Sequence, residues 1–462
     1  MARAIPFPPA RAAYYTLFVL VLCLTSNQLD LGIVPYLAAR IKADLHLTDF
    51  GLGLLFGVSF GLFYTLVGLP IAYFVDRRSR RVILALGIAT WNIGTALCGL
   101  AQSFAQLFVA RFLVGAGEGV NGPASYSMVA DLFPRERMPR AVALLQLGSV
   151  VGPALATAIG AWLLYLFLDM KPIRLAFGIV HGWQLIFMLI GVPSSLLAVL
   201  IVTTVAEPAR RTIGNQLGSL TERTAACGSR LPAWLTDYAV ALRYMRAHWT
   251  VFAPMFGSLL LGAVSIGALQ WLPIFYERTY GWGPAKLAGL QSIAQAVVAP
   301  LGLLASVVLA ERLSRRERKD SAMRVYVISR AVGLPAIFNV LMPSPWLAFA
   351  LGLLSLFAVA ASGASQNAAL QIVTPAEMRG KVTALYLLIF SIVGLTAAPI
   401  LIGAITDQLL NDERLIRWAL FWPLIIAGPL SLLIAWLGVG PYGREVARLE
   451  ALESSSPDAR TA

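Results

Sequence analysis

Asp76-Arg77-Arg78-Ser79-Arg80-Arg81 closes one apolar run, and Glu311-Arg312-Leu313-Ser314-Arg315-Arg316 closes another 235 residues later. Two more pairs recur in the same order. Pro134, Glu136 and Arg140 return as Pro375, Glu377 and Lys381 at an offset of 241, and Gly148-x-x-x-Gly152-Pro153 returns as Gly394-x-x-x-Ala398-Pro399. One match is within chance. Three matches in one order, at nearly one offset, indicate two halves of common origin.

What the halves contain follows from composition. The 462 residues are 58% apolar and 13% charged, whereas soluble domains run near half apolar and a quarter charged. A membrane-crossing helix needs about 20 apolar residues. Apolar runs fall near 13–37, 50–75, 82–101, 107–130, 140–166, 184–205, 249–275, 286–310, 325–343, 346–370, 382–405 and 417–438. Gly and Pro are scattered through them, as membrane helices tolerate. The expected fold is an all-α membrane protein of twelve transmembrane helices in two pseudo-symmetric six-helix bundles. Residues 1–205 form the first bundle and 249–438 the second. Between them, 206–248 is a cytoplasmic linker whose Pro232–Met245 stretch reads as an amphipathic surface helix. Residues 439–462 are expected as a cytoplasmic tail.

A net charge of +13 would suggest nucleic acid in a soluble chain. Here topology accounts for it: 26 of the 36 Arg and Lys residues fall on the side of the termini, 8 on the other, and Arg111 and Arg330 lie inside spans. The positive-inside rule then puts both termini in the cytoplasm. The first apolar run passes 20 residues without a small-residue cleavage site, so it reads as a retained anchor. Cys23, Cys98 and Cys227 have no metal-type spacing, and His46, His181 and His248 form no catalytic pattern. With no nucleotide-binding loop and no nucleophile elbow, neither ATP-driven transport nor an enzyme is expected, and no metal or cofactor.

The segment from Ala72 to Arg81 resembles the signature loop of the major facilitator superfamily, with Ala72 and Ser79 in place of two usual glycines. Within that superfamily, Ala110–Gly119, Val129–Arg137 and Gly182–Phe187 are similar to the Spinster-like transporters. Those proteins usually carry an Asp-Arg pair in the first helix; here Asp30 is followed by Leu31. The resemblance implies alternating access and a lysophospholipid or sphingoid phosphate as substrate. It also implies that Asp76, with Arg77, Arg80 and Arg81, braces the start of span 11 near Gly380. Glu311 and Arg312 would do the same for span 5 near Arg140.

A charge at the bilayer centre costs about 2.5–3.5 kcal/mol on insertion scales, so buried charges face a partner or a wet cavity. The deep ones are Asp30 in span 1, with Arg111 and Glu118 in span 4. Arg111, Gly115, Glu118 and Gly122 share one face, with the two charges about 10 Å apart along the axis. An Asp30–Arg111 ion pair is geometrically allowed. A carboxylate that alternates between a desolvated and a paired setting becomes a proton carrier, which assigns proton coupling to Asp30 and Glu118 with Arg111 as counter-charge. Arg330 is expected to snorkel to the interface. Gly148, Gly152, Ala156 and Gly160 form a small-residue packing ladder, which resembles an antiporter motif incompletely. Candidate cavity liners are Asn27, Phe60, Tyr64, Arg111, Asn121, Gln146, Gln270, Gln295 and Gln366.

The expected function is proton-coupled secondary transport of an amphipathic anionic lipid, the alternative being a small organic anion such as a sugar acid. The expected partners are the substrate, protons and membrane lipid, with no nucleic acid. A monomer in a bacterial inner membrane is the expected setting.

Overall fold

A computed structural model describes residues 7–75, 77–134, 137–175, 178–210, 233–316, 318–375 and 378–454. Among these, eleven helices are long and apolar enough to cross a membrane, beginning with Ala10–Asp44, Asp49–Gly68 and Arg80–Cys98. The twelfth span, fourth in order, is broken rather than continuous: Phe104–Glu118 and Asn121–Leu132 are separate helices. Pro123 explains the break, because its ring clashes with the carbonyl four residues earlier, at Gly119. Pro273 acts in the same way in the seventh span, where Trp249–Leu269 gives way to Leu272–Tyr280. Spans two and eleven each contain wide turns, at Gly57–Leu62, Ser391–Ala397 and Ile405–Leu410; such turns interrupt α-helices at functional sites more often than elsewhere.

The chain divides into two compact units. One comprises Met1–Leu217, Gly267–Ala296 and Leu395–Ile416; the other comprises Gly218–Ile266, Val297–Gly394 and Arg417–Ala462. In the first unit the small-residue ladder is a packing device. A Cβ on Gly148 would lie 3.0 Å from Leu24, one on Gly152 3.1 Å from Gln28, and one on Gly160 3.0 Å from Ile33, so spans one and five meet closely along it. Gly117 marks a tighter crossing, where an added Cβ would sit 2.6 Å from the Trp91 amide and 2.7 Å from the Gly87 carbonyl. Both neighbours are backbone and cannot step aside. Gly117→Val is therefore expected to cost about 1–3 kcal/mol, read as a lower melting temperature in detergent.

Sequence landmarks resolve into end fittings. Trp183 is buried and donates to Asp44 at 2.5 Å, while Gln184 donates to the Ala101 carbonyl at 2.7 Å. A short antiparallel pair, Ile173–Leu175 with Gly178–Val180, adds the one strand pairing among the described residues. At the opposite end Ser79 caps the third span, accepting from the Val82 amide and donating to Glu207 at 2.6 Å. Arg80 is 2% exposed and binds Asp131 and Glu207, with further bonds to the Ser127 and Pro208 carbonyls.

Burial raises the Glu207 carboxyl, but hydrogen bonds from Ser79, Arg81 and Arg80 outweigh it and hold the group below the ordinary value of 4.5. A group lowered in the folded state stabilises fully above its unfolded value and loses that contribution as pH falls through the folded one. The stability difference between wild type and Glu207→Gln is thus expected to be constant near neutrality and to shrink below pH 4.5. A difference that grew in acid would contradict this assignment.

In the second unit the helix expected in the linker is present as Ala233–Ala247. It is docked on protein: Ala241 is fully buried and the Tyr244 hydroxyl donates to the Val373 carbonyl at 3.1 Å. The Gly/Ser/Thr-rich stretch before it, and Cys227, lie outside the described residues. The last span continues unbroken as Ile416–Ser454, with Tyr442 and Val446 buried, so the described part of the expected tail is helical and its first turns are packed.

Candidate functional site

Span four carries the site, and glycines place its neighbours. A Cβ on Gly115 would lie 2.6 Å from the Phe60 carbonyl, and one on Gly119 would lie 2.8 Å from the Tyr64 carbonyl. The second span therefore rests directly on the fourth, on both sides of Glu118. This approach sets the Phe60 ring beneath Arg111, whose guanidinium carbon is 5.2 Å from the ring centroid, and stacks Phe60 on Tyr64. Gly122 differs: nothing lies within 4 Å of the space a side chain would fill.

Asp30, Arg111 and Glu118 are 0%, 3% and 1% exposed. Asp30 accepts a 2.6 Å hydrogen bond from Thr95 through Oδ1, and Thr95 also donates to the Trp91 carbonyl. Its Oδ2 makes no hydrogen bond of good geometry, nor do Arg111 Nε and Nη1 or either Glu118 oxygen, although the Asn27 amide faces the Glu118 carboxylate. Nearby, Ser26 Oγ, Asn27 Nδ2, Asn92 Oδ1 and Asn121 Nδ2 are also buried without such a bond. Buried polar atoms are nearly always paired, so a cluster of exceptions marks a place with another purpose. The three charged side chains lie within electrostatic range of one another. No ion pair within 4 Å joins them, so the allowed Asp30–Arg111 contact is not made in this conformation.

The remaining candidates scatter. Asn121, at the break in span four, accepts from Ser125 at 3.2 Å, and Gln295 accepts from Thr157 at 3.3 Å. Gln146 is exposed and Gln270 half-buried beside the break in the seventh span. Gln366 belongs to the second unit, donating to the Met255 carbonyl at 3.2 Å and accepting from Tyr386 at 3.0 Å. Asp76 lies outside the described residues. Arg77, Arg140, Glu311 and Arg312 are exposed, and Arg81 is half-buried.

Sequence reading missed two features of the first unit. Thr95 looks like any other span threonine. At the end where spans one and two join, buried Asp49 binds Lys42 at 2.5 Å and Arg278 at 2.6 Å, and Glu413 binds both cations, at 2.6 and 3.1 Å. Tyr36 donates to Gln291, and Arg40 pairs with Glu277 at 2.9 Å, both at the same end. These residues sit at span ends, where a lone charge gives no signal.

The profile of the Major Facilitator Superfamily matches residues 18–397. The chain belongs to this superfamily. It is a multi-pass integral membrane protein and a transporter of the facilitator type. Among its relatives is an MFS-type efflux pump of Mycolicibacterium smegmatis, 25% identical over 448 residues, which cover 94% of this chain and 95% of that one. A probable L-galactonate transporter of Escherichia coli is 23% identical over 390 residues, 82% of this chain and 80% of that one. A bacterial homolog of the human lysosomal transporter Spinster, in an inward-facing, unoccupied conformation, has the same fold, with a TM-score of 0.75 at 23% identity over 95% of this chain and 98% of that one. The facilitator fold and the Spinster resemblance expected from the motifs are thereby borne out.

Proposed function

We propose that this facilitator is a proton-coupled transporter of an organic anion, working by alternating access in a bacterial inner membrane as a monomer. One observation carries the reading: two buried carboxyl groups and a buried guanidinium share a field yet leave five of their polar atoms unpaired. A static packing network would satisfy those atoms, because leaving them bare costs about 1–3 kcal/mol each. Groups that exchange partners during a cycle cannot all be satisfied in one conformation. Arg111 then binds the anion, while Asp30 and Glu118 take up and release protons. Phe60, Tyr64, Asn27 and Asn121 border that site.

The relative named as a probable L-galactonate transporter supports a sugar acid as the anion. The motif resemblance to Spinster-like proteins supports an anionic lysolipid as the second reading. Asp76, Arg77, Arg80, Arg81, Arg140, Glu311 and Arg312 are assigned to gating on the cytoplasmic face, where the charge bias puts them. The test is transport in proteoliposomes under an imposed pH gradient, with galactonate and lysophosphatidate each competing with the other. Anion uptake indifferent to the gradient would overturn the coupling, and uptake of neither anion would overturn the substrate class.

A further inference from the structure

We infer that the second unit contains an oxyanion subsite of its own, in which Arg330 holds a carboxylate or phosphate group of the transported molecule. This rests on the reading of the protein as an anion transporter. Arg330 lies nine residues into Ser321–Gly333, about 13 Å along the helix axis, and it does not snorkel. Its guanidinium turns inward over Gly262, where an added Cβ would be 2.7 Å from Nη2, and Nη2 donates to Ser431 at 3.0 Å. Ser431 is itself held by Ser258, which is 2.7 Å from the Tyr326 hydroxyl. Three spans thus aim this cation into the protein.

No acid accompanies it within the apolar spans of its unit. The stretches 249–266, 297–310, 325–341, 345–373, 382–394 and 418–438 contain no Asp or Glu, and Arg330 is their sole charged residue. A cation at this depth without a carboxylate is costly unless an anion visits it. Beside it is a cavity of about 70 Å³ lined by Tyr326, Ser362, Gln366 and Tyr386 among others. A single water needs about 10–15 Å³ on this measure, so the cavity has room for an oxyanion group beside the guanidinium. The Gln366 amide is oriented by the Met255 carbonyl and the Tyr386 hydroxyl, which gives the subsite fixed polar walls and apolar surroundings.

The experiment is equilibrium binding to the full-length protein in nanodiscs of zwitterionic lipid. The probes are galactonate against uncharged galactitol, and lysophosphatidate against uncharged monoacylglycerol. Arg330→Gln should weaken binding of the recognised anion about tenfold or more, leave the uncharged analogue unchanged, and be largely rescued by Arg330→Lys. Gly262→Val, which crowds the guanidinium while keeping the charge, should also lose the anion preference. Which anion responds distinguishes a free acid from a lipid headgroup. Wild-type affinity in both Arg330→Gln and Gly262→Val would overturn the subsite and leave the functional reading standing. A wild-type protein that binds neither anion would overturn both.

Discussion

Proton-driven accumulation is expected to fall about a hundredfold in Glu118→Gln, equivalent to about 2.7 kcal/mol, while exchange of substrate between equal pH compartments persists. Glu118 is 1% exposed, neither of its oxygens makes a hydrogen bond of good geometry, and the second and third spans close on either side of it through Gly115, Gly117 and Gly119. The amide keeps the shape but cannot give up a proton, so driven transport and exchange separate. Asp30→Asn is expected to show the same separation more weakly, because Thr95 remains to hold the group in place. On the proposed reading the two carboxyls and Arg111 exchange protons as one set, so pH profiles are expected to report the set and not a single residue. Full coupling in both variants, with normal melting curves, would remove the mechanism.

The second large effect is expected at Asp49. This carboxylate is 0% exposed and bridges Lys42 from the first span to Arg278 beyond the seventh, with Glu413 completing the cluster. Removing one partner of a buried ion pair costs about 3–5 kcal/mol, because the other charge is left uncompensated. In Asp49→Ala two cations remain with one half-exposed carboxylate. The same end is tied by the Phe50 amide donating to Asp407 at 2.6 Å, and by the close approach of Gly53 to the Pro399 carbonyl. Asp49→Ala should therefore lower the melting temperature and raise thiol-reagent labelling of a cysteine placed at Tyr36. Unchanged labelling with a lowered melting temperature would reduce the cluster to a structural tie.

Much of this was legible in residue order. Apolar run length defines a membrane helix because the bilayer leaves the backbone no other hydrogen-bond partners. The breaks were harder. Pro123 and Pro273 stand in runs that otherwise read as continuous, and proline is tolerated in many membrane helices; only neighbouring spans decide whether the helix bends or parts. The small-residue ladder announced close packing, but which glycines meet backbone and which, like Gly122, face open space is a property of the neighbours.

Composition and the repeat pointed to a helical membrane bundle in two halves, and the loop from Ala72 to Arg81 to its resemblance to the facilitator type. Charge within apolar runs pointed to Asp30, Arg111 and Glu118, since burying a charge in lipid is costly enough to be conspicuous along a chain. Tertiary packing alone decided that those three stand unpaired together, that Asp49 is the hub of a charge cluster, and that Arg330 turns inward. Such pairings join residues hundreds of positions apart, and no periodicity within a helix records which of its faces another helix will cover.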